Sequence, residues 1–353
     1  MSELDFASRF GHEPEAAATA HGRVNLIGEH TDYCGGFVMP TLISQQIIVQ
    51  ISQRDDDIIH GYSTEFGEES AAIDLIGGDS WLLFVKGALA LMTEKGAKLS
   101  GLNVMTSSAI PAGAGVSSSA AFEIALLRAL CDLTSLAIPA EEMALMGQRI
   151  EHDFIGTKCG IMDQMAVARA EIGQALFLDC ETLENDVITL PEDICVAVIH
   201  SGSSRKLSAS LYNERLAETS EAARQMGYDS LRNAKEEDLT KLSDPVLIAR
   251  SRHVISENAR VHTAKAALKI ADMGALGLAM TESHISLRED YEVSSDALDH
   301  LVSTIISQGA YGARLTGAGF GGCIVALLDE MTADDIIEAT LADCEGAWLV
   351  DCL

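Results

Sequence analysis

Apolar positions along the chain fall into runs of two kinds. Short runs rich in β-branched residues suit strands: Gln46 to Gln53, Ala71 to Leu75, Leu102 to Thr106, Gln174 to Asp179 and Ile194 to His200. Longer runs carry apolar side chains at helical spacing and predict helices over Trp81 to Met92, Ser118 to Leu133 and Ala140 to Ile155. In the last of these, Met143, Met146, Ile150 and Phe154 mark one face. The second half reads as mainly helical from Leu207 to Gln308, followed by a glycine cluster, a strand over Cys323 to Leu328, a helix near Thr332 to Leu341 and a last strand over Trp348 to Cys352. No repeat period and no low-complexity linker appears. The charged segment Asp179 to Asp193 is the natural boundary, which predicts an N-terminal domain over 1–185 and a C-terminal one over 186–353.

At 353 residues, 48% hydrophobic and 22% charged, the chain is long enough for two cores and reads as globular. Lys+Arg 24 against Asp+Glu 53 gives a net charge of −29, a surface that repels nucleic acid and anionic membranes. An anionic ligand would have to be met by locally gathered basic residues, backbone N–H groups or a metal ion. The eight cysteines show no CxxC pair and no zinc spacing, so they are expected to be reduced thiols packed as small hydrophobes. The acidic N-terminus carries no secretory pattern, and the uncharged stretch from Leu99 to Phe122 holds too much Gly, Pro and Ser for a membrane span. A cytoplasmic location is expected.

Two glycine-rich loops carry candidate chemistry. Ile110 to Leu130 places a Gly/Ser loop between a strand and a strong helix, so that Gly113, Ala114, Gly115, Val116, Ser117, Ser118 and Ser119 form an anion cradle at a helix N-terminus. No lysine closes it in the manner of GxxxxGK[ST], and a plain connection with a serine N-cap is the competing reading. The second loop, LTGAGFGGCIVALL from Leu315, formally matches GxGxxG, but a strand-like run follows where a dinucleotide fold needs a helix. A tight turn closing over a ligand or another loop remains.

Carboxylates supply the rest. GRVNLIGEHTDYCGG packs Arg23, Glu29, His30, Thr31, Asp32 and Tyr33 between glycines, a density of hydrogen-bonding groups that suits a polyhydroxylated ligand as well as it suits a solvated turn. In EHDFIGTKCGIMDQMA, Asp163 lies among Ile161, Met162 and Met165, a setting costly for a carboxylate without a partner.

Together these motifs resemble the galactokinase family. GRVNLIGEHTDYCGGFVMP looks like its signature, PAGAGVSSSAA like the second motif of the galactose, homoserine, mevalonate and phosphomevalonate kinase superfamily, and LTGAGFGGC like the third; CGIMDQ, LYNERLAE, RHVISENARV and ESHISLREDY extend the resemblance from Ala20 to Leu328. The resemblance implies an α+β, two-domain sugar-kinase fold: an N-terminal domain like ribosomal protein S5 domain 2, a ferredoxin-like C-terminal domain and an active site in the interdomain cleft. It implies transfer of the γ-phosphoryl group of ATP to the anomeric hydroxyl of D-galactose, with ATP as co-substrate and Mg²⁺ as cofactor. It assigns sugar binding to Glu29, His30, Thr31, Asp32 and Tyr212, the triphosphate to Gly113 through Ser119, the metal to Ser119 and Glu151, and the chemistry to Asp163 with Arg23 beside it. Its partners are the small-molecule sugar and ATP, without nucleic acid or membrane, in a monomer or weak homodimer.

The chain departs from the family pattern at His21 (usually proline), Cys34 (usually asparagine), Leu83-Phe84 (typically Asn-Tyr), Glu181 (commonly arginine) and Ser204 (commonly basic, with Arg205 and Lys206 adjoining). A related sugar 1-kinase for arabinose, N-acetylgalactosamine or another galacto-configured sugar is the alternative. A non-catalytic sugar sensor, whose phosphate loop is two residues shorter, is a third reading that the complete GAGVSSSAA argues against.

Overall fold

The structure, a computed structural model, describes residues 5–203 and 208–353; Ser204, Arg205 and Lys206 lie outside the described residues. The chain forms two compact units, each mixing helix and sheet. One comprises the chain up to Gly22 with Gln45–Pro111 and Ser117–Arg169, the other Arg23–Ser44, Ala112–Val116 and Ala170–Leu353.

In the first unit the strand Pro40–Gln53, which begins in the second, pairs antiparallel with Leu102–Ser108 from Ile47↔Ser108 to Gln53↔Leu102. Leu102–Ser108 runs parallel to Ile58–Ser63, which forms a hairpin with Gly67–Ala72. The strand expected over Ala71 to Leu75 is therefore displaced. Its partner begins at Ile58, opposite Ala72, so the chain beyond has no strand to face; Ile73 N donates to Asp57 O, and Ile73–Leu75 closes as a 3₁₀ turn. The helices Leu82–Glu94, Ser118–Thr134, Ala140–Ile150 and Met162–Arg169 complete this unit. Ser118–Thr134 buries ten consecutive or near-consecutive positions, Ala120 to Leu127 with Ala129 and Leu130, so it is central and packed on all sides. The helix expected to reach Ile155 gives way at Glu151 to a π-helical turn, Glu151–Ile155, ended by Gly156.

In the second unit Gln174–Asp179 pairs with Phe37–Val38 and Asn185–Thr189. A separate antiparallel sheet is ordered Gly312–Leu315, Cys323–Asp329, Ile194–His200, Trp348–Cys352. Ile194–His200 is central and buried along almost its whole length, which explains its unbroken apolar run. The helices Pro245–Lys269, Met273–Glu289 and Asp296–Ser307 open on Asp244, Asp272 and Ser295, each capping with its side chain. The expectation that every cysteine is a free thiol fails at one pair. Adjacent strands bring Cys195 and Cys352 to a Cα separation of 6.0 Å, and they form a disulfide. Cys34, Cys323 and Cys344 are buried and outside any disulfide, as expected. Among the described residues, no helix is long and apolar enough to cross a membrane.

Met273–Glu289 approaches the strand Gly312–Leu315 through glycine: a Cβ on Gly277 would lie 2.2 Å from the Tyr311 carbonyl oxygen. Gly277→Ala is expected to lower the free energy of unfolding by about 1–3 kcal/mol, read by urea denaturation. An unchanged midpoint would contradict the close packing.

Candidate active site

The Gly22 to Gly36 segment is held by buried charge in the second unit. Gly28 has φ +96, and a Cβ there would meet the Phe37 carbonyl oxygen at 2.4 Å, so glycine is required. Its N–H donates to Glu257 Oε1 at 2.9 Å; Glu257 also accepts from Ser283 Oγ at 2.6 Å and, through Oε2, from Arg260 Nε at 2.7 Å. Burial opposes ionisation of Glu257, but Arg260 and the other donors outweigh it and hold its pKa down to about 2.

Glu29 is 2% exposed, and its Oε2 accepts from Nη2 of Arg314, itself fully buried, at 2.9 Å. Arg314 Nη1 donates to Asn25 O at 2.8 Å. Burial raises the Glu29 pKa above the ordinary carboxylate value, and Arg314 and Arg23 oppose that shift; the Arg314 guanidinium stays charged. The second glycine loop closes over this segment, as one of its two sequence readings proposed. Thr316 Oγ1 accepts from Asn25 N at 2.9 Å, and Ala318 O lies 3.2 Å from His30 Nε2. The strand Cys323–Asp329 follows the loop, which excludes the dinucleotide reading.

His30 is buried and burial lowers its pKa to about 3, so the ring is neutral. With Nε2 facing a carbonyl, Nε2 carries the proton and Nδ1 accepts from Tyr33 Oη at 2.8 Å; Tyr33 Oη in turn accepts from Tyr291 Oη at 2.7 Å. The Thr31 hydroxyl lies 2.8 and 2.7 Å from the carbonyls of Gly28 and Phe37. Of the five sugar candidates, Glu29, His30 and Thr31 are buried and Asp32 and Tyr212 half-buried. Tyr212 stands with its ring 5.9 Å from His30 and 5.1 Å from Tyr33.

Arg23 is buried and braces the first glycine loop: its N–H donates to Val116 O at 3.0 Å and its Nη1 to Gly115 O at 3.2 Å. Glu181 faces Arg232, which also meets Asp179 and lies 4.0 Å over the Phe37 ring.

The other half of the candidate chemistry belongs to the first unit. Ser117, Ser118 and Ser119 are half-buried at the head of Ser118–Thr134. Ser117 Oγ donates to Asp163 Oδ2 at 2.5 Å. Asp163 is half-buried in the first turn of Met162–Arg169, between buried Met162 and Gln164. Glu151 is buried beside Glu123, a fully buried carboxylate that accepts from Gln164 Nε2 at 3.1 Å; burial, then the charge of Glu151, pushes the Glu123 pKa well up.

Arg314, Glu257, Glu123 and His253, whose Nε2 lies 3.1 Å from the Glu29 carbonyl oxygen, were not singled out from sequence. Glu123 sits in an apolar helix and so carried the same signal as Asp163. The others lie in polar helices or beside glycines, where nothing marks them as buried.

A family model for the galactokinase galactose-binding signature matches residues 4–53, and models for the N- and C-terminal domains of GHMP kinases match 83–171 and 264–345. A galactokinase from Roseiflexus sp. (strain RS-1) is 40% identical over 342 residues, 93% of this chain and 87% of that protein. The chain belongs to the galactokinase family. A Pyrococcus furiosus galactokinase is 40% identical over 91% of both chains, and the crystal structure of Lactococcus lactis galactokinase complexed with galactose superposes with a TM-score of 0.92 at 34% identity, covering 98% of this chain and 95% of that one. Membership of the galactokinase family makes the protein a kinase, with ATP as its co-substrate.

The buried histidines of this galactokinase-family chain predict its acid sensitivity. Burial lowers His30 to about 3, and His253 and His284 to about 4, from an ordinary 6.5. Their stabilising contribution is complete above pH 6.5 and is lost as the pH falls towards those values, because the unfolded chain then binds more protons, at up to about 1.4 kcal/mol per pH unit for each histidine. Melting temperature is expected to fall steadily from pH 6.5 to pH 4.5; a flat profile would contradict neutral burial. Arg314→Met leaves Glu29 buried without its counterion and is expected to cost about 3–5 kcal/mol in denaturant unfolding, and a change under 1 kcal/mol would overturn the pairing.

Proposed function

We propose that the protein transfers the γ-phosphoryl group of ATP to the anomeric hydroxyl of D-galactose, releasing ADP and α-D-galactose 1-phosphate. The observation that carries the reading is the contact between Ser117 and Asp163. It sets an acceptor carboxylate at the head of a helix that opens from a Gly/Ser loop. Loop N–H groups from Gly113 to Ser119 bind the triphosphate. Asp163 accepts the proton of the sugar hydroxyl as its oxygen bonds to the γ-phosphorus and the bond to the ADP oxygen breaks. Arg23, fixed by two loop carbonyls, stabilises negative charge beside it. Asp32 and Tyr212 contact the sugar directly, while Glu29, His30 and Thr31 set the shape of that wall.

A serine hydroxyl and a buried carboxylate are hard oxygen donors that suit Mg²⁺, an ion that takes one or two protein ligands and fills the rest of its shell with phosphate and water. Among the described residues there is no group of three or more His, Cys, Asp or Glu that would hold a metal without a nucleotide. Ser119 and Glu151 would hold the ion, which supplies neutralisation of phosphate charge. The same reading keeps the division at 185/186, a ribosomal S5 domain 2-like and a ferredoxin-like domain with the site in the cleft, a cytoplasmic location and a monomer or weak homodimer.

ADP release with Mg²⁺ and ATP, measured across galactose, galactosamine, N-acetylgalactosamine, arabinose, glucose and mannose, is expected to be fastest with galactose. Asp163→Ala should lower it by roughly 10²–10⁴-fold. Preference for another sugar would move the claim to that sugar, and binding without turnover would favour a sensor.

A further inference from the structure

We propose that Ser117 is a positioning residue for Asp163, and that its hydroxyl serves the carboxylate in place of the two duties its position suggests, capping the helix and binding phosphate. The inference rests on the reading of Asp163 given above.

A serine at a helix start ordinarily adopts an extended backbone and turns its oxygen towards the N–H two or three residues on. Ser117 does neither. Its backbone is left-handed, at φ 61 and ψ 49, and its side chain makes no capping bond. That conformation is strained for a non-glycine residue, and the loop already places glycine at two of its positive-φ positions, Gly113 and Gly115. If backbone shape were the only requirement, glycine would meet it at Ser117 as well. What glycine lacks is the hydroxyl, and the left-handed turn carries that hydroxyl to 2.5 Å from Asp163 Oδ2.

A hydroxyl has one proton to donate. Facing a carboxylate oxygen, Ser117 Oγ gives that proton to Asp163 and has none for a phosphate oxygen, which separates it from Ser118 and Ser119 one and two residues on. A donor fixed on Oδ2 also sets the plane of the carboxylate, and therefore the direction in which Oδ1 presents itself. The leading N–H groups of Ser118–Thr134 are not taken by this serine, which suits them to the nucleotide.

Ser117→Gly and Ser117→Ala separate the possibilities, because glycine relieves the strain and alanine retains it while both remove the hydroxyl. Loss of a hydrogen bond to a charged group predicts a fall in kcat of roughly tenfold or more in both, with KM for galactose and for ATP within about twofold and with Ser117→Gly melting no lower than the unaltered protein. Ser117→Gly added to Asp163→Asn should cause no further loss. An unchanged kcat in Ser117→Gly would overturn the proposal in favour of a backbone role, as would a raised KM for ATP at unchanged kcat in favour of phosphate binding, or a fully additive double variant. If Asp163→Asn alone keeps full turnover, it is the role of Asp163 that fails, a result distinct from any of these.

Discussion

A fully buried guanidinium is the constraint around which the sugar-side loop is built. Arg314 cannot shed its charge, and removing it from water is tolerated only if anionic or carbonyl oxygens surround it. The side chain of Glu29 and the carbonyl of Asn25 provide them. That places both flanks of Gly28 against one fixed group, while Glu257 holds the Gly28 N–H from the other side. The loop GRVNLIGEHTDYCGG is thereby shaped by ionic contacts as well as by its buried apolar residues Val24, Leu26 and Ile27. A site that must match several hydroxyls at once gains from such rigidity, because little ordering remains to be done when the sugar arrives.

The same economy governs the first unit. Ser118–Thr134 is buried all round, yet it carries Glu123 at its centre, and Glu123 lies against Glu151 at the break where an α-helix becomes a π-helical turn. Ser117 starts the helix in a strained conformation and touches Asp163. Irregular backbone and buried carboxylates coincide at the same few residues, and these carry no evident stabilising role that an apolar side chain would not fill better. The proposed phosphoryl transfer supplies a reason for them.

Much of this was legible in the sequence because the relevant signals are local. The β-branched run at Ile194 and the helical spacing of Met143, Met146 and Ile150 report burial directly, and the structure places both as read. The strand misplaced at Ala71 was decided by its partner: where Ile58 begins, pairing stops, and no local residue says so. The disulfide was invisible because Cys195 and Cys352 lie 157 residues apart and meet only through strand order. The roles of Arg314 and Glu257 were hidden for a similar reason. A charged residue in a polar helix or before a glycine loop looks solvated until the fold supplies a buried partner from elsewhere in the chain. Motif resemblance recovered the family; the structure added which of its candidates are buried, such as His30 and Thr31, and which are half-buried, such as Asp32 and Tyr212.

The central claim is that the sugar-side loop is rigid before sugar binds. Amide hydrogen exchange across residues 26–36 in sugar-free protein tests it most directly. The account predicts that the Gly28 N–H, bonded to the buried Glu257, exchanges as slowly as the central strand Ile194–His200 and changes little with saturating galactose. Fast exchange at Gly28 in the free protein, slowing only when galactose is added, would contradict it.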